Sequence, residues 1–184
     1  VSQDLEPEYI AVSADSQMAW VSLQENNAYA IVDLSTPEVT AIVPFGYKDH
    51  SLAQNAFDSS NRLDFVFMST WKTLGMYQPD GIATFNIDGT NYLITANEGD
   101  SRDYDAYSEE ERIKDIDLDP VAFPNAEFLQ EDENLGRLNI TTATGDTDGD
   151  GDFDQLYSYG ARSFSIFNLD TQTMVYDSGD WLER

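Results

Sequence analysis

Residues 7–46, "PEYIAVSADSQMAWVSLQENNAYAIVDLSTPEVTAIVPFG", contain four short runs that are rich in β-branched and aromatic residues. Such residues are favoured in strands that pack within a sheet. A turn at Asp15-Ser16 separates the first two runs, and the polar corner "QEN" at 24–26 separates the second from the third. This spacing predicts four consecutive antiparallel strands joined by tight connections.

The same layout occurs again further along the chain, but in two pieces. "PDGIATFNIDGTNYLITANEGD" begins at Pro79 and has a turn at Asp88-Gly89, and "GARSFSIFNLDTQTMVYDSG" resumes at Gly160. Four short strands per repeat are typical of a β-propeller blade. The alternative is a β-sandwich in which the two stretches resemble each other only by chance. The correspondence of the two repeats strand by strand favours an all-β, partial β-propeller with two four-stranded antiparallel blades.

We interpret the chain as a single partial propeller domain, 1–184, with a linker between the blades and an insertion within the second one. The segments are a blade at 7–46, a linker at 47–78, a blade at 79–97 plus 160–179, and an insertion at 98–159. Because a propeller typically closes with about 4 to 8 blades, the expected partners are the remaining blades of a longer protein or a second copy.

The insertion has a mixed pattern. "SEEERIKDI" at 108–116 has a serine followed by acidic residues, and 124–138 contains a second run that ends near Gly136. Both predict short helices. The residues that flank the aspartate-rich stretch, "RLNITTAT" and "QLYSYG", predict strands.

The charge of the chain excludes several functions. It has 35 acidic and 9 basic residues, a net charge of −26 and a pI near 4.1. Such a surface repels nucleic acid and anionic lipid but attracts divalent cations. No apolar run approaches the roughly 20 residues that span a bilayer, so no membrane span is expected in this segment. There is no cysteine, and His50 is the single histidine, which excludes thiolate and multi-histidine zinc sites.

The stretch "DTDGDGDFD", 146–154, alternates aspartates with small residues, and this pattern is typical of a calcium loop. With Asp146 first, Asp148 is third, Asp150 fifth and Gly151 sixth, where a sharp bend is needed. Asp152 is seventh and offers its backbone carbonyl, and Asp154 is ninth. An EF-hand would need a glutamate at the twelfth position and flanking helices, whereas Tyr157 and predicted strands are found here. We therefore predict a structural Ca²⁺ site on a β-hairpin, like the calcium loops of integrin-type propellers. An unliganded acidic turn is the alternative.

Two further groups are candidates for chemistry. "ANEGDSRDYD" gathers Glu98, Asp100 and Arg102 into a corner, which could be a second metal site or an acid–base cluster. The alternative is a salt-bridged corner in which Arg102 orders the insertion. Glu25, at the equivalent corner of the first blade, is expected to face Glu98. His50 in "KDHS" could act as a base or ligand, but a lone histidine in a polar linker is more often structural.

The motifs "LQENNA", "KDHS", "GMYQPDGIA", "ANEGDSRDY", "LGRL", "GDTDGDGDFD" and "GARSFSI" occur in the order seen in the choice-of-anchor I proteins, and the chain resembles that family over nearly its whole length. The resemblance implies a middle piece of a larger β-propeller that is extracellular, periplasmic or attached to the cell surface. In the linker this chain has "DSSNRLD" where the family usually has "D-x-S-D-x-D", so Asn61 and Arg62 replace acids there.

Related sequences carry labels such as mesenchyme-specific cell surface glycoprotein or alkaline-phosphatase-like. The expected function is therefore a calcium-stabilised surface module that binds an unknown surface ligand or acts in adhesion. The alternative is a metal-dependent phosphoesterase of the alkaline-phosphatase-like type, with Glu98, Asp100, Arg102 and His50 near its centre. The sequence alone leaves open whether the protein is an enzyme.

Overall fold

The computed structural model of the protein describes residues 4–184, with 41% of residues in strands and 6% in helices. Within that range the strands, in chain order, are β1 (Pro7–Val12), β2 (Met18–Leu23), β3 (Ala28–Asp33), β4 (Glu38–Pro44), β5 (Tyr47–Asp49), β6 (Phe57–Asp58), β7 (Met68–Ser69), β8 (Leu74–Met76), β9 (Ile82–Ile87), β10 (Thr90–Asn97), β11 (Asp103–Tyr104), β12 (Tyr107–Ser108), β13 (Glu110–Arg112), β14 (Asn139–Thr141), β15 (Tyr157–Ser158), β16 (Ser163–Asn168) and β17 (Thr173–Asp177). The helical elements are α1 (Ala126–Leu129) and two 3₁₀ turns, Ala53–Asn55 and Ile113–Asp115.

The chain divides into two compact units. The blade unit consists of the described residues up to Gly46, together with Met76–Asp100 and Gly160–Leu182. The insertion unit consists of Tyr47–Gly75, Ser101–Tyr159 and Glu183–Arg184. The sequence pattern predicts one propeller domain that the linker and the insertion interrupt, and in the structure most of these two segments fold together and share a core.

The blade unit contains two four-stranded antiparallel sheets, which confirms the predicted fold class. The first has the order β1-β2-β3-β4, and the second has the order β17-β16-β10-β9, so the insertion separates two neighbouring strands, β10 and β16. Asp88 and Gly89 join β9 to β10 with φ values of +51° and +88°. Positive φ at both central residues of a two-residue hairpin is the type I′ turn that Asp-Gly favours.

One core cluster of the blade unit contains residues from both sheets. Trp20, Tyr29 and Ile31 of the first sheet belong to the same buried cluster as Leu93 and Phe167 of the second. Side chains on a strand alternate between its two faces, and Trp20 of β2 and Leu93 of β10 lie on the core-facing side of their strands.

The insertion unit is built on a five-stranded sheet with the order β13-β14-β15-β8-β5. The pair β14 and β15 is antiparallel, and β15 and β8 are parallel. Its core includes the buried side chains of Phe57, Trp71, Phe123, Ile140 and Leu156. Among the described residues, no helix has the length and apolarity needed to cross a membrane.

The helix predicted over 108–116 is a strand followed by a 3₁₀ turn. Glu110–Arg112 pair with Asn139–Thr141, and Glu109 is buried, with only 3% of its surface exposed. Pairing with a strand that lies about 30 residues away outweighs a weak local helix signal. The capping pattern at Ser108 therefore does not start a helix.

The second predicted helix, over 124–138, is reduced to one turn, Ala126–Leu129. The backbone N–H of Leu135 donates to the carbonyl of Leu129 at 3.0 Å, which turns the chain back on itself. The side chain of Asn134 donates to the carbonyl of Phe128 at 2.7 Å, so this amide completes a helix end that the local sequence does not mark with glycine.

Candidate metal centre

The aspartate-rich stretch connects the antiparallel strands β14 and β15 of the insertion unit. It is therefore carried on a β-hairpin, as the flanking sequence indicates. The glycines of the loop have positive φ, with +81° at Gly149 and +105° at Gly151. Glycine is favoured at these φ values because an L side chain would be strained there.

Asp146 organises the backbone of the loop. Its Oδ1 accepts a hydrogen bond from the N–H of Gly149 at 2.7 Å, and its Oδ2 accepts one from the N–H of Gly151 at 3.1 Å. At the other end, Oδ2 of Asp154 accepts from the N–H and the hydroxyl of Thr147 at 2.7 and 2.6 Å. The first and ninth positions of the loop are thus held by contacts within the loop itself.

The carboxylates converge in two groups of three, and each group has its oxygens within 4.8 Å of one another. Asp146, Asp148 and Asp154 form the first group. Asp152 and Asp154 form the second with Asp119, which lies outside the loop. Asp154 belongs to both groups, so it is the carboxylate that any cation bound here is expected to share.

Asp150, at the fifth position, is in neither group. Its Oδ1 instead accepts the backbone N–H of Asp152 at 3.2 Å. Asp152 joins the second group through its side chain, whereas its position in the sequence indicates a contribution through the backbone carbonyl.

Asp119 is the residue that sequence reasoning missed. Leu118 and Phe153 form a parallel β-bridge, and the N–H of Asp119 donates to the carbonyl of Phe153 at 3.1 Å. This backbone contact brings Asp119 beside the loop from a segment more than 25 residues away. The alternating aspartates of "DLD" at 117–119 are a signal, but a weak one, since acidic residues occur throughout this chain.

The charges of the loop act on one another. Repulsion from Asp150, followed by partial burial, raises the pKa of Asp148. Partial burial, followed by repulsion from Asp150 and Asp119, raises the pKa of Asp152 to about 6. The Thr147 hydroxyl lowers the pKa of Asp154, so this hydrogen bond favours the charged form of the shared carboxylate.

The other candidate residues are divided between the two units. Glu98 and Asp100 lie in the blade unit and are both exposed. The carbonyl of Asp100 accepts a hydrogen bond from Nε2 of Gln78 at 2.9 Å. Burial, followed by the negative charges of Glu6, Glu8 and Asp100, raises the pKa of Glu25. Of the two carboxylates Glu98 and Asp100, it is thus Asp100 whose negative charge helps to raise the pKa of Glu25.

Arg102 and His50 lie in the insertion unit, and both make contacts that hold its backbone. The Arg102 guanidinium is 3.7 Å from the Glu109 carboxylate, and the two side chains are only 15% and 4% exposed. His50 is 2% exposed, its Nδ1–H donates to the carbonyl of Asn55 at 2.7 Å, and its ring packs against Phe57. These contacts tie both side chains to neighbouring groups of the insertion unit.

Asn61 and Arg62 of the linker also make contacts within the insertion unit. Arg62 lies 3.5 Å from Asp132, and Oδ1 of Asn61 accepts from Nε of Arg137 at 2.9 Å. The Lys114 ammonium, with further help from Arg62 and Arg137, lowers the pKa of Asp132. These polar contacts attach the linker to the insertion.

Comparison with known proteins shows where the chain belongs. It matches the choice-of-anchor I domain over residues 1–184. It is also similar to Gigasin-3a of Magallana gigas, with 46% identity over 56 residues. That alignment covers 30% of this chain and 19% of the relative, so the chain corresponds to a small part of that protein. No solved structure matches it. The chain belongs to the choice-of-anchor I family, as a β-propeller-like module of a surface-associated or extracellular protein.

Proposed function

We propose that the chain is a calcium-stabilised extracellular module that acts in binding or adhesion. The observation that carries the calcium part is the convergence of Asp146, Asp148 and Asp154 on the β14–β15 hairpin. Three carboxylates this close repel one another, and a divalent cation would convert that repulsion into attraction. Several carboxylate oxygens on one loop suit Ca²⁺, whose coordination geometry is variable, better than Mg²⁺, which demands a tight octahedron and keeps its waters.

The contacts of the remaining candidates support binding rather than catalysis. Arg102 pairs with Glu109, and the imidazole of His50 is buried against Phe57. A phosphoesterase would need such groups to reach a substrate and to stabilise a developing charge. Elaborated segments on a rigid β scaffold are, in contrast, where binding surfaces are commonly built.

The test is thermal unfolding of the protein with Ca²⁺ and with a chelator. We expect Ca²⁺ to raise the melting temperature, because a ligand that binds only the folded state stabilises it by about 2.7 kcal/mol at a concentration 100 times its Kd. The affinity expected for an extracellular site is on the order of 10⁻⁴ to 10⁻³ M.

Asp154→Asn should remove the effect of Ca²⁺, since this carboxylate belongs to both groups. Asp105→Asn is the matched control, because Asp105 is an exposed carboxylate of the same unit outside both groups. A melting temperature that Ca²⁺ does not change, or an equal loss of its effect in the two variants, would refute the calcium site.

The phosphoesterase alternative has its own test. Hydrolysis of p-nitrophenyl phosphate that requires Ca²⁺ and is lost on Glu98→Gln would replace the binding role with an enzymatic one. Turnover that survives this substitution would place any activity elsewhere than at the "ANEGDSRDYD" corner.

We also infer that further four-stranded sheets of the same repeat are partners of the blade unit. A row of apolar side chains crosses the first sheet from strand to strand, through Ile10, Val21, Ala30 and Ile42. The two side chains at its ends, Ile10 and Ile42, are 60% and 50% exposed. This apolar row lies on the face opposite to Trp20, which is in the core.

The test is sedimentation velocity over a range of protein concentrations. We expect association that increases with concentration and that is weakened by Ile42→Asp but not by Ile87→Asp in the β9–β10 hairpin. A chain that stays monomeric at all concentrations would contradict a partner of this kind.

A further inference from the structure

Two adjoining cavities lie on the insertion unit. The larger has a volume of about 470 Å³, and its lining includes Phe67, Trp71 and Phe128. The smaller has a volume of about 280 Å³ and is lined in part by Thr73 and Asp154. Lys72 and Phe123 contribute to both linings, so the cavities are neighbours on either side of this pair. Together they are in the size range of small-ligand sites, roughly 300 to 1,000 Å³.

Each cavity is lined by a residue that has a buried polar atom without a partner. Among the described residues, Nε1 of Trp71 and Oγ1 of Thr73 have no hydrogen-bond partner. Trp71 is 6% exposed and Thr73 is 2% exposed. Buried polar groups are almost always hydrogen-bonded, so an unpartnered indole N–H and a hydroxyl beside cavities point to polar atoms supplied from outside the chain.

Aromatic rings border the larger cavity and remain accessible. Phe67 is 40% exposed and Phe128 is 51% exposed, although both are large apolar side chains. The amides of Asn125 and Asn134 line the same cavity. A ligand that fits these groups must have an apolar face to cover the rings and hydroxyl or carbonyl groups at its edge to pair with the N–H and the amides.

We propose that this groove, bordered by Phe67, Trp71, Thr73 and Phe128, binds a short neutral saccharide. A sugar ring combines a C–H face with hydroxyls around its edge, which matches both sets of groups. The proposal deepens the binding role proposed above and rests on it, but it can be tested separately from calcium binding, because the larger cavity contains none of the loop aspartates and Asp154 alone among them lines the smaller one.

The charges around the groove select against an anionic ligand. Asp49 and Asp154 both line the smaller cavity. The ammonium of Lys72 donates to the carbonyl of Ala122 at 2.6 Å and stands 4.4 Å from the centre of the Phe123 ring. Since the whole chain carries a net charge of −26, a phosphate or sulfate group would be repelled. A purely apolar ligand would leave the Trp71 N–H and the Thr73 hydroxyl unpaired.

The test is calorimetric titration of the full chain with cellotetraose, maltotetraose and chitotetraose, in Ca²⁺ and in chelator. We expect at least one to bind. Trp71→Phe keeps an aromatic ring but removes the N–H, so affinity should fall between about fivefold and tenfold, as for one lost hydrogen bond. Phe128→Ala should weaken binding by about tenfold or more, because an exposed ring that the sugar covers is removed.

Trp181→Ala is the control, since Trp181 is 77% exposed in the blade unit and should not affect binding. Phe128→Ala keeps the test decisive if Trp71→Phe lowers the melting temperature, because Phe128 is half exposed. Equal losses in Phe128→Ala and Trp181→Ala would overturn the proposal, as would binding of a sulfated oligosaccharide or an apolar dye but of no neutral probe.

If none of the neutral probes binds to protein of normal melting temperature, the buried atoms are satisfied by water alone and the proposal fails. The two proposals fail separately. Calcium-dependent melting without saccharide binding refutes the groove only, and saccharide binding without a calcium effect refutes the calcium site only.

Discussion

At the scale of single residues, the aspartate loop combines groups with opposite tendencies. The pKa of Asp154 is lowered by the Thr147 hydroxyl, whereas partial burial and neighbouring charges raise the pKa of Asp152 to about 6. The loop thus has one carboxylate, Asp154, that is stabilised as an anion, and two, Asp148 and Asp152, that resist ionisation. A bound cation would lower the pKa of Asp152 most, because its positive charge would offset the repulsion that helps to raise this pKa.

This difference predicts a pH dependence in calcium-free protein. Between about pH 4 and pH 6 the folded state keeps a proton on Asp152 that the unfolded chain has released, so this group lowers the free energy of unfolding as pH rises. Asp152→Asn should therefore be more stable than the natural protein above pH 6 and equal to it below pH 4. Urea unfolding across this range measures it, and equal stability of Asp152→Asn and the natural protein at every pH would refute this account.

A second residue-scale prediction concerns Gly136. A Cβ placed there would overlap the backbone carbonyl of Gln130 and lie 2.8 Å from the carbonyl oxygen of Glu131. Because backbone atoms yield less readily than side chains, Gly136→Ala should cost about 3 kcal/mol or more in the free energy of unfolding. At Gly81 the added methyl would meet only Ala96 at 3.8 Å, so Gly81→Ala should change it by less than about 0.5 kcal/mol. Equal effects in urea titrations would refute this account of the turn.

At the scale of elements, the second blade is held across its interruption by buried polar contacts. Nδ2 of Asn97, at the end of β10, donates to the hydroxyls of Ser163 and Ser165 at 3.0 and 2.7 Å. Both serines donate in turn to Oδ2 of Asp177 in β17, each at 2.7 Å. This network joins three strands at the point where the insertion leaves and returns. It sets their register where chain connectivity alone would not.

Asn97→Ala should therefore destabilise the fold. Asn97 is 2% exposed, and its Oδ1 also accepts from Thr95, so the substitution leaves several buried groups without a partner. The expected loss is about 1 to 3 kcal/mol in the free energy of unfolding. Asn91→Ala in the same strand is the control, because its contact with Asn86 is exposed and should contribute little. Chemical denaturation of the two variants measures these losses in the free energy of unfolding, and equal losses would contradict a role for the network.

At the scale of the whole molecule, charge is the dominant property. The 35 acidic residues against 9 basic ones give a net charge of −26, and the self-repulsion of such a surface opposes compaction. Exposed ion pairs such as Arg62–Asp132 contribute little to offset it. The fold therefore depends on the apolar cores of its two units, and its stability depends on the surrounding salt.

Added NaCl should raise the melting temperature at pH 7. The Debye length falls from about 30 Å at 0.01 M to about 8 Å at 0.15 M, so distant like charges cease to interact. The same series at pH 5, closer to the pI of 4.1, should give a smaller rise because fewer carboxylates are charged. A melting temperature that is independent of salt at pH 7 would contradict the importance of self-repulsion.

Much of the fold was predictable from local pattern. The repeated β-rich runs and the Asp88-Gly89 turn indicate two four-stranded meanders, because strand periodicity and turn chemistry involve neighbouring residues only. The hairpin that carries the aspartate loop was predictable for the same reason. That this loop binds calcium remains a prediction.

The sequence by itself thus determined the strands of the blades, their tight turns and the spacing of the loop carboxylates. Only the tertiary structure decided that Glu110–Arg112 form a strand with Asn139–Thr141, that Asp119 joins the loop, and that linker and insertion share a core. The physical reason is distance along the chain. Backbone pairing between segments far apart in sequence satisfies hydrogen bonds and buries apolar surface, and no pattern within either segment alone specifies its partner.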